Sequence, residues 1–134
     1  MLNIFYECTS LTQLPQSEYL NIIESRAFVG CTGLTSISIP SGIQMGESVF
    51  EGCSGLTSGE WSARYIRPGT FLDCTGLTEF TINEGVGEIS SDAFSRCRNL
   101  AVVRILSTGF LYCIFWGKIV IISDNYRIFA PRNI

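Results

Sequence analysis

A chain of 134 residues with 46% hydrophobic and 16% charged residues has enough apolar material for one domain with a buried core, which excludes a disordered polyelectrolyte. Its net charge is -3, and its nine basic residues are scattered, only Lys118 being a lysine. No stripe is available to neutralise phosphates, so nucleic acid is excluded as a partner. Histidine is absent, which removes the commonest general base, the usual activator of a Ser or Cys nucleophile and a common zinc ligand.

The chain opens with MLNIFYECTS, which has no basic segment followed by an apolar one, so no signal peptide is visible. Phe5 and Cys8 begin a pattern that recurs as Phe28/Cys31, Phe50/Cys53, Phe71/Cys74, Phe94/Cys97 and Phe110/Cys113. The first five cysteines follow one another at 21 to 23 residues, and the sixth breaks the period at 16. Leu11, Leu34, Leu56, Leu77 and Leu100 stand three residues after the first five cysteines. Ile23, Met45, Ile66 and Ile89 stand five residues before the second to fifth phenylalanines. A register held at four positions per unit is the signature of stacked repeats.

Each unit predicts the same elements. Thr35 to Ile39 and Thr78 to Ile82 alternate polar residues with apolar ones, as half-buried strands do; Val102 to Ile105 alternates less cleanly. Pro40 helps to stop its strand, and SGIQMG and NEGVGE read as turns in which Gly42, Gly46, Gly85 and Gly87 can take positive φ. A short extended piece follows. Ser91 to Cys97 then has the composition of a capped helical or 3₁₀ turn, with Ser91 or Asp92 as cap. Two units depart from the rule. The first has Leu14-Pro15-Gln16 at the strand position and predicts a weak edge; the third has Gly59 and Trp61 for Ile37 and Ile39 and predicts an irregular or bulged strand.

Arg26-Ala27-Phe28 through Pro40 and Asp92-Ala93-Phe94 through Ile105 resemble the BspA-like leucine-rich repeats of bacterial and protozoan surface proteins, whose units run as A-F-x-x-C-x-x-L-x-x-I-x-I-P. The resemblance covers about three quarters of the chain, in register. It implies a mainly β, right-handed leucine-rich-repeat solenoid with a stacked parallel sheet and short helical or 3₁₀ turns. About five repeats are expected over 1–106, with a C-terminal cap, a β-hairpin, over 107–134. It further implies a non-catalytic protein-protein or cell-surface interaction module of adhesion type, at the cell surface or secreted. An intracellular interaction scaffold is the alternative reading, and a polysaccharide-active β-solenoid a more distant one.

The cysteines admit three readings. A column of free buried thiols is favoured over disulfides between neighbouring coils, and a metal site is disfavoured because no CxxC pair exists. No cofactor, metal ligand or catalytic residue is expected. If the strands align, Ser38, Glu60, Thr81 and Arg104 form one outward column, and Ser36, Ser58, Glu79 and Val102 the next. The candidate binding face is therefore Ser36, Ser38, Ser58, Glu60, Glu79, Thr81 and Arg104, and Glu60 with Glu79 is the pair that a glycan-cleaving reading would use. Trp61 is expected to point inward, leaving Arg104 and Tyr65 as anchors.

The two ends carry separate expectations. With only four residues before Phe5, the first coil has no cap; either preceding residues have been removed or the coil packs on another molecule, as in a homo-oligomer. Ile105 to Ile122 is long and apolar enough to suggest a membrane span, but Lys118, Gly109 and Gly117 interrupt it. The favoured reading pairs Gly117 to Ile122 with Tyr126 to Phe129 as a hairpin around Ser123-Asp124-Asn125.

Overall fold

The computed structural model describes residues 5–15 and 18–106, together with the strands 112–113, 118–123 and 126–130. Short and long strands alternate from β1 to β10, and a further long strand follows: β1 (Ile22–Ile23), β2 (Ser36–Ile39), β3 (Gln44–Met45), β4 (Ser58–Trp61), β5 (Tyr65–Ile66), β6 (Glu79–Ile82), β7 (Glu88–Ile89), β8 (Val102–Leu106), β9 (Tyr112–Cys113), β10 (Lys118–Ser123) and β11 (Tyr126–Ala130). The long strands β2, β4, β6 and β8 lie side by side and parallel, each displaced from the next by one repeat. The short strands stack in the same sense as two separate sheets, β1-β3 and β5-β7-β9. The chain therefore winds as a β-solenoid, one repeat per coil.

A third side of each coil is made of turns, and it is here that the repeated phrase does its structural task. The phenylalanine amides donate to the next coil: Phe5 to the Ala27 carbonyl (3.1 Å), Phe28 to Val49 (2.9 Å), Phe50 to Thr70 (3.0 Å) and Phe71 to Ala93 (2.7 Å). Their rings stack as a ladder, with centroids 5.2, 5.5, 5.8 and 5.1 Å apart from Phe5 through Phe94. Inside the ladder lie Cys31, Leu34, Cys53, Leu56, Cys74 and Leu77, all fully buried, with the inward strand residues Ile39, Trp61, Ile82 and Ile105 closing the core from the opposite side.

Glycine in the Cys-Thr-Gly-Leu phrase answers to close approach. A Cβ on Gly55 would run into the Thr32 carbonyl oxygen of the coil before, and Gly33 and Gly76 stand in the same relation to Thr9 and Ser54. At the equivalent place the fifth unit carries Asn99, whose amide Nδ2 donates to the Thr75 carbonyl (2.7 Å), turning the crowded approach into a hydrogen bond.

Several local expectations change. The Ser91–Cys97 stretch is not helical, and neither is any other described segment. The residue before each of the first five cysteines, Glu7, Gly30, Gly52, Asp73 and Arg96, has a φ between 55° and 71°, which ends any helical turn at once. Asp92 does not cap its own turn; its Oδ1 accepts the Gly69 amide of the preceding coil (3.2 Å). Gly42 and Gly85 take positive φ (86° and 99°), whereas Gly46 and Gly87 do not.

The strand of the third unit, β4, is regular on its β2 side, pairing Ser36↔Ser58 through Ile39↔Trp61 without a bulge. The core tolerates Gly59 because Phe80 and Ile37 from the flanking strands fill the space a side chain would need. Trp61 is fully buried, edge-on to Phe50 and Phe71, and its indole N–H donates to the Tyr65 carbonyl (3.2 Å).

Leu14 and Pro15 form no strand, and Gln16 lies outside the described residues. Cys113 is not a sixth member of the cysteine column: in β9 it pairs with Ile89, so it stands where the other coils place Ile23, Met45 and Ile66. The break in cysteine period is thus a chance recurrence of the phrase. Towards the C-terminus, β11 pairs antiparallel with β8 from Leu106 to Val103, and β10 pairs antiparallel with β11. Residues 117, 124 and 125 of the expected hairpin lie outside the described residues.

Gly55→Ala forces either a backbone shift or a parting of two coils, and is expected to lower stability by about 1–3 kcal/mol in urea unfolding. A change within experimental error would show that the glycine column is not set by coil-to-coil contact.

Candidate functional site

The long strands present alternate side chains outward, and the pairing places these in rows across the coils. Ser38 is paired with Glu60, Glu60 with Thr81, and Thr81 with Arg104, which makes one continuous column over four strands. Ser36 is paired with Ser58, and Glu79 with Val102, in the second column. Six of the seven candidate residues, all but Arg104, line one open concavity of about 670 Å³. Its floor is Ile37 and Gly59, and its walls include Gln13, Leu14 and Pro40. These wall residues were not among the sequence candidates. Their signal was present in the irregular Leu14-Pro15, which keeps the first coil from continuing the sheet and leaves it as a rim.

The chemistry of the face is polar and open. Ser36, Ser38, Glu60 and Glu79 are exposed, while Ser58, Thr81 and Arg104 are partly so. Arg104 Nη1 lies 3.8 Å from Glu79 Oε1, a diagonal pair between neighbouring strands. Glu60 Oε2 accepts a long bond from Asn83 Nδ2 (3.4 Å), which also donates to Ser62 (3.0 Å). Both carboxylates are thus engaged by neighbours at a solvated surface. Exposed ion pairs of this kind contribute little stability, so the face is free to vary without cost to the fold.

The cysteines form a different kind of site. From the second unit to the fifth, each thiol donates to the carbonyl of the phenylalanine that opens the preceding coil's turn: Cys31 to Phe5 (2.8 Å), Cys53 to Phe28 (3.1 Å), Cys74 to Phe50 (3.1 Å) and Cys97 to Phe71 (3.0 Å). The same carbonyls accept the amide of the cysteine in their own coil, as Phe28 does from Cys31 (3.2 Å) and Phe50 from Cys53 (3.2 Å). Cys8, Cys31, Cys53, Cys74 and Cys97 are free thiols. Burial pushes the Cys53 and Cys97 thiols up to about 12, and raises Cys74 and Cys31 as well. Such thiols are poor nucleophiles at neutral pH. Among the described residues no group of three His, Cys, Asp or Glu is placed to hold a metal ion. Nor is any described helix long and apolar enough to cross a membrane.

This geometry defines a class: a β-solenoid whose coils share one core and whose long strands offer a continuous outer face. The chain belongs to the BspA type leucine rich repeat region family, whose model matches residues 2–118 as six copies. Among solved structures, the chain is similar to a leucine rich cell surface protein of Faecalibacterium prausnitzii A2-165, with 26% identity and a TM-score of 0.51 over 73% of this chain and 32% of that one. It is also similar to a leucine-rich repeat protein of Eubacterium ventriosum, with 14% identity and a TM-score of 0.51 over 72% of this chain and 35% of that one. The second likeness concerns the fold alone. This chain therefore spans only a minor part of either relative. No curated protein matches it.

The buried thiols make stability fall on the alkaline side. In the unfolded chain they ionise around 9.0, whereas in the folded chain Cys53 and Cys97 hold their protons to about 12. Between those values the folded state binds more protons, so stability is complete below pH 9 and declines above it by about 1.4 kcal/mol per pH unit per thiol. Replacing Cys53 and Cys97 by Ala is expected to flatten the slope of unfolding free energy against pH from 9 to 11. An unchanged slope would contradict the assignment.

Proposed function

We propose that the chain is a non-catalytic protein-protein or cell-surface interaction module of an adhesion-type leucine-rich-repeat protein, displayed at the cell surface or secreted. The partner, a protein or cell-surface ligand, docks on the long-strand face at Ser36, Ser38, Ser58, Glu60, Glu79, Thr81 and Arg104. The observation that supports this reading is the alignment of these side chains in rows along four parallel strands, around an open concavity. A rigid coil stack holds such rows pre-organised, so little ordering entropy opposes binding. Small hydroxyls and two carboxylates give hydrogen-bonding capacity without large anchors, so one such face binds weakly and a longer array gains by multivalency.

In the same reading residues 1–106 are the repeat array and 107–134 its cap. The first coil, whose Phe5, Cys8 and Leu11 are only partly buried, packs on a second copy.

The test is adherence of chain-coated beads to cultured cells. Ser38→Arg and Thr81→Arg place long side chains on the rows without touching the core, and each is expected to reduce adherence about tenfold, as loss of a central contact does. Ser41→Arg, in the turn after β2, serves as control. Adherence equal to the unsubstituted chain, with circular dichroism unchanged, would remove the long-strand face from the proposal.

A further inference from the structure

Around the corner from the long-strand face, β5 interrupts the short-strand side. β3 and β5 are not hydrogen-bonded neighbours, although β1 pairs with β3 and β5 with β7. In the β1–β3 register, the Tyr65 carbonyl would receive the Met45 amide if the sheet continued; the Trp61 indole N–H is bonded to it instead. At this interruption the side chain of Tyr65 carries two guanidinium groups, Arg67 at 4.5 Å and Arg64 at 5.7 Å from its ring centroid. Both arginines are exposed. Arg26, Arg96 and Arg104 each pair with a carboxylate, whereas no ion pair among the described residues joins Arg64 or Arg67 to one.

The structure assigns this Arg64–Tyr65–Arg67 cluster as a second docking site, for a protein segment that sets one carboxylate between the two guanidinium groups and an apolar side chain against Tyr65. Arginine and tyrosine are the residue types that anchor protein interfaces, and a guanidinium already stacked on a ring has lost little freedom still to be lost on binding. The chemistry of the partner follows from the surrounding charges. A cavity of about 210 Å³ beside the cluster is lined by Tyr65, Arg67 and Pro68, but also by Glu47 and Glu88. Glu88 stands next to Tyr65 in the pairing of β5 with β7. Two positive charges flanked by two negative ones attract a single carboxylate set among neutral or basic neighbours. They repel a dense polyanion such as a sulfated glycan, as does the net charge of -3.

The test is selection of a displayed random dodecapeptide library on the whole chain, followed by titration of the selected synthetic peptides against variants that melt as the unsubstituted chain does. Peptides carrying Asp or Glu beside an aromatic, aliphatic or proline residue are expected. Arg64→Gln or Arg67→Gln is expected to weaken them at least tenfold, Arg67→Lys less, and Thr81→Arg less than twofold. That last arm separates this site from the long-strand face. Failure to select acidic peptides, equal affinity for the Arg→Gln variants, or preferential binding of a fluorescent heparin fragment lost in those variants would each overturn the assignment.

Discussion

The fold depends on one shared acceptor. The carbonyls of Phe5, Phe28, Phe50 and Phe71 each take the amide of their own coil's cysteine and the thiol of the next coil's cysteine. A buried carbonyl with an unused lone pair in a stacked array is a standing cost at every repeat. Cysteine removes it with a side chain small and apolar enough to sit at the centre of the core. Leucine or alanine would bring no donor, and serine would bring a more strongly hydrated one into a site lined by phenylalanine rings. The thiol bond is weak by itself, but it recurs in step with the ring ladder and with the phenylalanine amides, so three interactions of different kind fix the same coil-to-coil spacing.

From that spacing the outer face follows. Because the coils cannot slip by one residue without turning Ile37, Ile39 and Trp61 out of the core, the outward residues between them are held in rows. The repeated letters therefore supply geometry, and the letters between them supply whatever chemistry the surface offers. This division explains why a chain so regular inside is irregular outside: serine, glutamate, threonine and arginine follow one another along a single column.

Much of this arrangement was legible in the sequence because stacking imposes the same period on every buried position. The two outward columns and the inward phenylalanine, cysteine and leucine can be read directly from the spacing. What could not be read depends on contacts between coils. Gly59 looks like a strand breaker until Phe80 and Ile37 are seen to occupy its place. Cys113 looks like a sixth coil's cysteine until its strand is seen beside Ile89. Asp92 has the composition of a cap, yet it serves the coil before its own. The arginine pair on Tyr65 also escaped, since residues 64, 65 and 67 are ordinary in order and become a site only when the sheet parts beside them.

In the proposed function the two faces divide the labour of recognition: a shallow, polar, row-like surface on one side, and a compact charged anchor on the other. Both rest on one continuous hydrophobic core, which is expected to unfold as one cooperative body. The most direct test is maleimide labelling of Cys53, Cys74 and Cys97 across a urea gradient, followed by mass spectrometry of each site. The account predicts that none is labelled under native conditions and that all three become reactive together at the global unfolding midpoint. Labelling of any one of them well below that midpoint, or three separate midpoints, would contradict a single continuous core.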